Sequence, residues 1–450
     1  MTFSVDPFEF SRRVEAFSRS LSASLSSAQE AKNIFSSSFP GQQDLELLSQ
    51  MAPEDPFALA LREWTRFLLE SRLMIPALVQ ERRLLHRIPV NTSAPLPEKL
   101  SMDQILSQRF SPNPQLRQLA FRAWEGAEGS LSELRLAQWQ RRREISLRLD
   151  EEQSPWLRPE EKAFTEFAQK VLKETEVIVD ELYGADPAAR SWAETAAEAS
   201  DGWPARLIQE RLMELFPAPH FWGAGTRFTV ALPERRVPAS FLLAGRQLGE
   251  QLSFSSRARG LPFVLRFNPW DEAQMGVGYL FSGWLSSRGA SLSVLRVGER
   301  RLHPHLRALA LAQLAHFRRR AAHLLPRCFL LESGENLVSE LGRVNHLHWG
   351  QDMAPSTSLS RSRVELGALQ RFSAYLLAQS QLNSFVEEFD EDWLLNPRGA
   401  ALLKALLEEP ELGSFSRLSL VQEERDIEGV LNSWEAGYQV MIKRLQALLD

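Results

Sequence analysis

Apolar residues in this chain recur three and four positions apart far more often than they alternate, and that regularity decides what it can fold into. Between Asp55 and Leu85, Leu59, Phe67, Leu68, Ile75 and Leu78 fall on one helical stripe. Asp55 offers a capping side chain, and Pro56 has no N–H to leave unbonded in the first turn. From Pro114 to Leu149 the pattern returns with Leu119, Phe121, Trp124, Leu131, Leu134 and Trp139. The same reasoning predicts helices at 160–183, 204–216, 238–256, 304–325, 361–389, 399–408 and 424–449. Pro155, Pro159, Pro204, Pro304 and Pro326 stand at or near their edges, where proline belongs.

Strand signals are sparse. Arg227–Leu232, Leu261–Phe267 and Leu292–Val297 are short and rich in β-branched, aromatic or aliphatic residues, and are expected to form at most a small sheet. The expectation is a mainly α chain, a large helical fold in two lobes. Serines crowd residues 18–38, and serine is a mediocre helix former, so residues 1–54 read as a Ser-rich helical segment. Residues 88–99 hold three prolines and read as a loop. The seam near Gly202 and Pro204 divides an N-terminal helical lobe, 55–200, from a C-terminal lobe, 201–450.

Composition excludes several classes. The 450 residues carry a net charge of -5, without the basic stripe that nucleic-acid binding needs. The longest apolar run, Met275–Leu285, is too short to span a bilayer. The N-terminus carries Asp6 and Glu9 and does not read as a signal peptide, so a cytoplasmic protein is expected. The single cysteine, Cys328, excludes an internal disulfide and any cysteine-based metal cluster, and reads as a small buried hydrophobe. Gly276-x-Gly278 lacks the strand, loop and helix of a nucleotide site, which leaves a turn or tight helix packing as its meaning. The serine-hydrolase elbow is absent.

Among residues that could carry chemistry, histidine is the one whose clustering matters. His303, His305, His316, His323, His346 and His348 account for six of the eight. The two H-x-H pairs could share an ion only in an extended segment, where both rings leave one face. His316 and His323 share a helical face but stand about 10 Å apart along it, too far for one zinc. A different pattern surrounds Ala312-Gln313-Leu314-Ala315-His316. A zinc-peptidase helix places two histidines four apart, so that both rings reach one metal, and a glutamate after the first as general base. The equivalent positions here are Ala312, Gln313 and His316, with Glu340 placed as a further ligand would be on a following helix. The plain alternative is that Ala312 is helix filler and that Gln313 and His316 lie on the surface.

Two further stretches bear on this choice. The helix containing Leu116-Arg117-Gln118-Leu119-Ala120-Phe121-Arg122-Ala123-Trp124, which continues to Arg141-Arg142-Arg143-Glu144, resembles the long arginine-punctuated N-terminal helix of helical zinc peptidases. Phe389-Asp390-Glu391-Asp392-Trp393-Leu394-Leu395-Asn396-Pro397-Arg398-Gly399 is also similar to a stretch of that fold. The families are the thimet oligopeptidase, oligoendopeptidase and angiotensin-converting-enzyme-like groups, and the resemblance runs from about residue 55 onward.

The resemblance implies a helical fold around a central channel in which peptides are cleaved with one zinc. This sequence departs from it at the chemistry. Ala312 has no ligating atom, Gln313 cannot take a proton from water, and His316 with Glu340 falls one short of three protein ligands. The reading is a degenerate member without catalytic or metal residues and without a cofactor. It would bind a peptide or protein partner in the inherited channel, or serve as a scaffold. The alternatives are an active metallohydrolase using His303/His305 or His346/His348, and a purely structural or regulatory helical protein. Oligomeric state leaves no mark. The acidic run Glu387–Asp392 is expected to face water beside buried Phe389 and Trp393, and the arginine runs 141–143 and 318–320 to be solvated or internally paired. Of twelve tryptophans, Trp203, Trp222, Trp270 and Trp284 fall within residues 200–290, with Trp192 and Trp349 to either side, and the stretch is expected to be a partner-facing or cleft-lining surface, or a plug between lobes.

Overall fold

The computed structural model describes residues 6–24, 39, 41, 56–87, 90–92, 96–97, 99–108, 111, 113–153, 159–183, 238–256, 262–267, 272–332, 337–349, 367–408 and 427–449. Over these the chain is mainly α. The helices are α1 (Pro7–Ser24), α2 (Pro56–Arg87), α3 (Met102–Gln108), α4 (Pro114–Gly129), α5 (Ser132–Gln153), α6 (Pro159–Tyr183) and α7 (Pro238–Ser256). They continue with α8 (Phe263–Arg266), α9 (Glu272–Leu285), α10 (Arg288–Ser293), α11 (Glu299–Glu332), α12 (Leu337–Trp349), α13 (Ala368–Phe389), α14 (Pro397–Glu408) and α15 (Ile427–Leu449). Proline opens α1, α2, α4, α6, α7 and α14, where its missing N–H leaves no bond unmade. Asn113 caps α4 by accepting the Gln115 N–H at 2.9 Å.

Several sequence expectations change. The helix expected over 114–149 is two: α4 stops at Gly129, and the Ser130 hydroxyl donates to the Ala127 carbonyl at 2.6 Å. Pro304 and Pro326 lie inside α11 rather than at its ends. At Pro304 one backbone bond is lost, but Leu302, Leu306 and Leu309 are buried around it, and that packing holds the helix. The strand expected at 261–267 is the single turn α8, packed with its aromatic rings against Trp64, whose indole N–H donates to the Phe267 carbonyl at 2.8 Å. The strand expected at 292–297 begins as the end of α10, capped by the Ser287 hydroxyl. Among the described residues neither apolar run has a neighbouring strand to bond with, and short runs of this kind do not declare their period. The third expected strand, 227–232, and the helix at 204–216 lie outside the described residues. Inside the expected loop 88–99 and at its edge, Val90–Asn91 (β1) pairs antiparallel with Lys99–Leu100 (β2), the one ladder among the described residues.

The main core gathers α6, α7, α9, α11, α13 and α15. Trp284, Trp393, Trp434, Phe281, Phe317 and Phe372 are buried within it, and such side chains carry the largest apolar areas a core can hide. A second core joins α1, α2 and α8 around Phe10, Leu68 and Ile75, and a third lies between β1, α3 and α4. On the stripe anticipated for α2, Leu68 and Ile75 are buried, while Phe67 and Leu78 are half-buried. Arg135 of α5 is fully buried and donates twice to Glu81 of α2, at 3.0 and 2.8 Å, while it also pairs with Glu128 of α4. Among the described residues, no helix is long and apolar enough to cross a membrane.

Candidate functional site

Helix α11 is the axis of the main core, in contact with α5, α6, α7, α10, α12, α13 and α15. Arg318 fixes it in place from a buried position. Its guanidinium donates to the Leu172 carbonyl at 2.7 Å, the Thr175 hydroxyl at 2.6 Å and the Leu347 carbonyl at 3.0 Å, and pairs with Glu176. A cation this well satisfied holds α6, α11 and α12 in register. Ala312, Gln313 and His316 precede it on the same helix.

All three face inward. Ala312 and Gln313 are buried and His316 is half-buried, which corrects the alternative that Gln313 and His316 are surface residues. The Gln313 amide donates to the Ser286 hydroxyl at 2.6 Å, and Ser286 donates to the Gly283 carbonyl at 2.7 Å. Arg444 of α15 donates to the same two oxygens, at 2.8 Å to Ser286 and 2.9 Å to Gly283. Gln313 is thus one arm of a closed polar knot joining α9, α11 and α15. Burial lowers the Arg444 pKa, and Tyr375 and Glu391 act against that shift.

His316 sits between two tyrosines. Its ring centroid is 5.9 Å from those of both Tyr279 (α9) and Tyr375 (α13), which are themselves 5.1 Å apart and edge-on. Arg320, one turn on, donates to its Nε2 at a long 3.4 Å. Tyr279 and Tyr375 are buried, and neither hydroxyl has a hydrogen-bond partner among the described residues. Burial raises the Tyr375 pKa, Arg444 opposes this, and Tyr279 adds to it. Beside this group Glu250 of α7 pairs with Arg246 at 2.9 Å. Burial raises its pKa, while Arg246, Arg371 and Arg320 pull it down.

The other candidates scatter. His303 is exposed and His305 buried on the helical stretch of α11, and two residues on a helix point to opposite sides, so the pair cannot share an ion. His346 and His348 are both in helix α12 and are subject to the same geometry. Burial pushes the His305 pKa down to about 4. Glu340 lies in α12, which packs on α11; its side chain, like those of Cys328, His348 and Trp349, is outside the described ones. Trp284 is core rather than partner surface, and Trp192, Trp203, Trp222 and Trp270 lie outside the described residues. Phe389 and Trp393 are buried with the neighbouring carboxylates exposed, as expected, and Arg142 and Arg318 form internal ion pairs.

Sequence reasoning missed Tyr279, Tyr375, Ser286 and Arg444. One signal was available. The chain has 26 phenylalanines and four tyrosines, and three of the four (Tyr279, Tyr375 and Tyr438) are buried in the main core, where phenylalanine would fill the same space.

The zinc that the family resemblance implies does not fit the described side chains. A catalytic zinc takes three protein donors; Ala312 offers none, and the Gln313 amide is committed to Ser286. Among the described residues, no three His, Cys, Asp or Glu side chains are gathered as a metal site.

No family model matches the sequence, and no curated protein matches it significantly. Solved structures do match. A protein from Chlamydophila abortus designated a peptidase superposes with a TM-score of 0.59 at 12% identity, over 94% of this chain and 82% of that one. PZ peptidase A with an inhibitor gives 0.62 at 9% identity, over 93% and 83%. A protein designated oligoendopeptidase F from Bacillus anthracis gives 0.58 at 9% identity, over 93% and 82%. The chain therefore has a peptidase-type helical fold, of the oligoendopeptidase kind, through most of its length.

Proposed function

We propose that this chain is a peptidase-like protein that does not perform zinc-dependent cleavage and instead holds a peptide or protein segment in the channel that the family resemblance implies. The observation that carries the reading is the state of Gln313. Where a zinc peptidase of this fold would keep a glutamate free to take a proton from water, this chain has an amide tied to Ser286, itself held by Arg444. An amide has no basic oxygen for that task, and its engagement in the knot is structural. Ala312, one residue before it, removes an imidazole at the same time. Glu340 and His316 are the remnant of the ligand set. A scaffolding role within a complex would use the same fold without chemistry.

The experiment is elemental mass spectrometry of the full chain after dialysis without chelator, paired with cleavage assays on a panel of quenched fluorescent peptides. Substoichiometric zinc and uncleaved peptides are expected. Stoichiometric zinc with cleavage would overturn the proposal and direct attention to a metal site rebuilt from other residues. A cytoplasmic location belongs to this proposal too.

A further inference from the structure

The surface of residues 288–301 breaks local preference repeatedly. Arg288 opens α10, and Arg300 and Arg301 stand in the first turn of α11, where the helix dipole favours acidic side chains. Between the two helices Arg296 has a φ of 52°, a left-handed conformation that costs little only for glycine, asparagine and aspartate. All four arginines are exposed, and among the described residues none of them forms an ion pair. Glu299 is the one acidic residue interspersed with them. A neighbouring loop repeats the pattern with the opposite sign. The Gly289 N–H donates to Glu391 at 2.7 Å, and a Cβ on Gly289 would stand 2.6 Å from the Asp392 carboxylate, so the loop after α13 abuts the start of α10. Asp390 has φ 64° and ψ -178°, a region that glycine alone occupies freely. Glu388, Asp390 and Asp392 are exposed and likewise form no ion pair, with Arg398 turned over the Phe389 ring beside them. Among the described residues, Arg296 and Asp390 are the two that have positive φ without being glycine.

We infer that these two segments form a self-complementary surface on which a second copy of this chain docks, the arginines of each copy facing the carboxylates of the other. Helix α10 spans six residues, about 9 Å, with the acidic loop against its start and Arg296 past its end. The Val297 N–H donates to the Ser291 carbonyl at 2.9 Å and folds the basic turn back on that helix. Acid and base are thus held at a fixed spacing. A two-fold axis between copies brings base against acid twice, because each contact generates the other. A foreign acidic partner would meet the arginines and be repelled by Glu388, Asp390 and Asp392 beside them, whereas an inverted second copy matches both. Arg288 adjoins the acidic loop and weakens the match there. Strain at Arg296 and Asp390 that no contact within the chain returns marks residues kept for their side chains. The inference is independent of what the channel holds.

The test is sedimentation velocity of the full chain at about 100 µM, in about 0.02 M and about 0.5 M salt, because exposed ion pairs are individually weak and salt screens them. A dimer is expected at low salt and a monomer at high salt. Arg296→Glu with Arg300→Glu makes both segments acidic, and Glu388→Lys with Asp392→Lys makes both basic, so each double variant alone should be monomeric at low salt. Mixed one to one, the two should recover the dimer, a result that a folding defect in either cannot produce. Arg296→Gly should weaken the dimer by about three-fold or more while the denaturation midpoint holds or rises, since glycine relieves the left-handed strain. A chain that is monomeric at low salt, a dimer unmoved by salt and by both double variants, or a mixture that stays monomeric overturns the inference. Polyglutamate bound by a monomeric chain, and released by the arginine variant, would overturn it in favour of a foreign acidic partner.

Discussion

Replacing Gly249 by alanine probes the contact that places Tyr279. Gly249 lies on α7 where it meets α9, and a Cβ there would stand 2.4 Å from the Val277 carbonyl oxygen and 2.8 Å from the Cα of Gly278. Ordinary contact begins near 3.4 Å, so the two helices must part by about 1 Å, and both obstacles are backbone that cannot rotate away. Overpacking of this kind costs about 1–3 kcal/mol, with a backbone clash at the upper end, against a gain of about 1 kcal/mol from alanine's helix propensity. A net loss of about 2 kcal/mol is expected. Gly126 is the control: it is exposed on α4, and an added Cβ there meets nothing within 4 Å. Gly126→Ala should therefore gain about 1 kcal/mol, the same substitution with the opposite sign. Thermal and urea denaturation of the two variants against the parent, with hydrogen exchange on α7 and α9, reads both effects. In domains of 150–250 residues about 1 kcal/mol moves the midpoint by about 2–4 °C, and a longer chain moves less. A Gly249→Ala protein as stable as the Gly126→Ala protein would refute the close crossing of α7 and α9, and with it the position of Tyr279.

Other perturbations read other parts of the fold. Gln313→Ala leaves Ser286 without one of its donors and opens a void in the core, so a loss of about 1–3 kcal/mol is expected by urea denaturation; a neutral result would mean that the knot with Arg444 does not hold the helices. Arg135→Met strands the buried carboxylates of Glu81 and Glu128 and should cost about 3–5 kcal/mol, partly recovered when both are also changed to Gln. His305 has its pKa lowered from 6.5 to about 4 by burial, so the folded state favours the neutral ring. Its contribution to stability is complete above about pH 6.5 and lost as pH falls toward 4, by about 3 kcal/mol over that range. His305→Leu should flatten that part of the pH–stability curve, and an unchanged curve would place the acid sensitivity elsewhere.

The helical frame was legible because periodicity and proline placement are local. The residues that bury α2, α6, α7 and α13 carry their own spacing, and Pro56, Pro159 and Pro238 mark where the stripes begin. Gly276-x-Gly278 was legible as tight helix packing for the same reason: a nucleotide loop needs neighbours that the sequence lacks, while a close crossing needs only a missing Cβ, which Gly278 supplies against Arg246 of α7. The expected strands at 261–267 and 292–297 failed because a six- or seven-residue apolar run fits a strand and a buried turn equally well. Only the partner decides, here Trp64 for the first and the Ser287 cap for the second.

The candidate site divides along the same line. Ala312, Gln313 and His316 could be singled out because one helix carries them, and a helix converts sequence spacing into a shared face. The residues that give this face its character come from elsewhere: Ser286 directly follows α9, Tyr375 lies in α13 and Arg444 in α15, and no spacing within the chain announces that they meet. Their meeting changes what Gln313 means. Read as one residue among five it is a failed general base, but with its amide on Ser286 and Arg444 on the same hydroxyl it is the centre of a packed polar knot. A glutamate placed there alone would stand beside Arg444, where an ion pair would hold it as firmly as the amide is held now. Catalysis by zinc would need Ala312 changed as well, at a position 2% exposed, where an imidazole has no room without repacking the core. On the proposed reading, what separates this chain from zinc chemistry is packing as much as the identity of two residues.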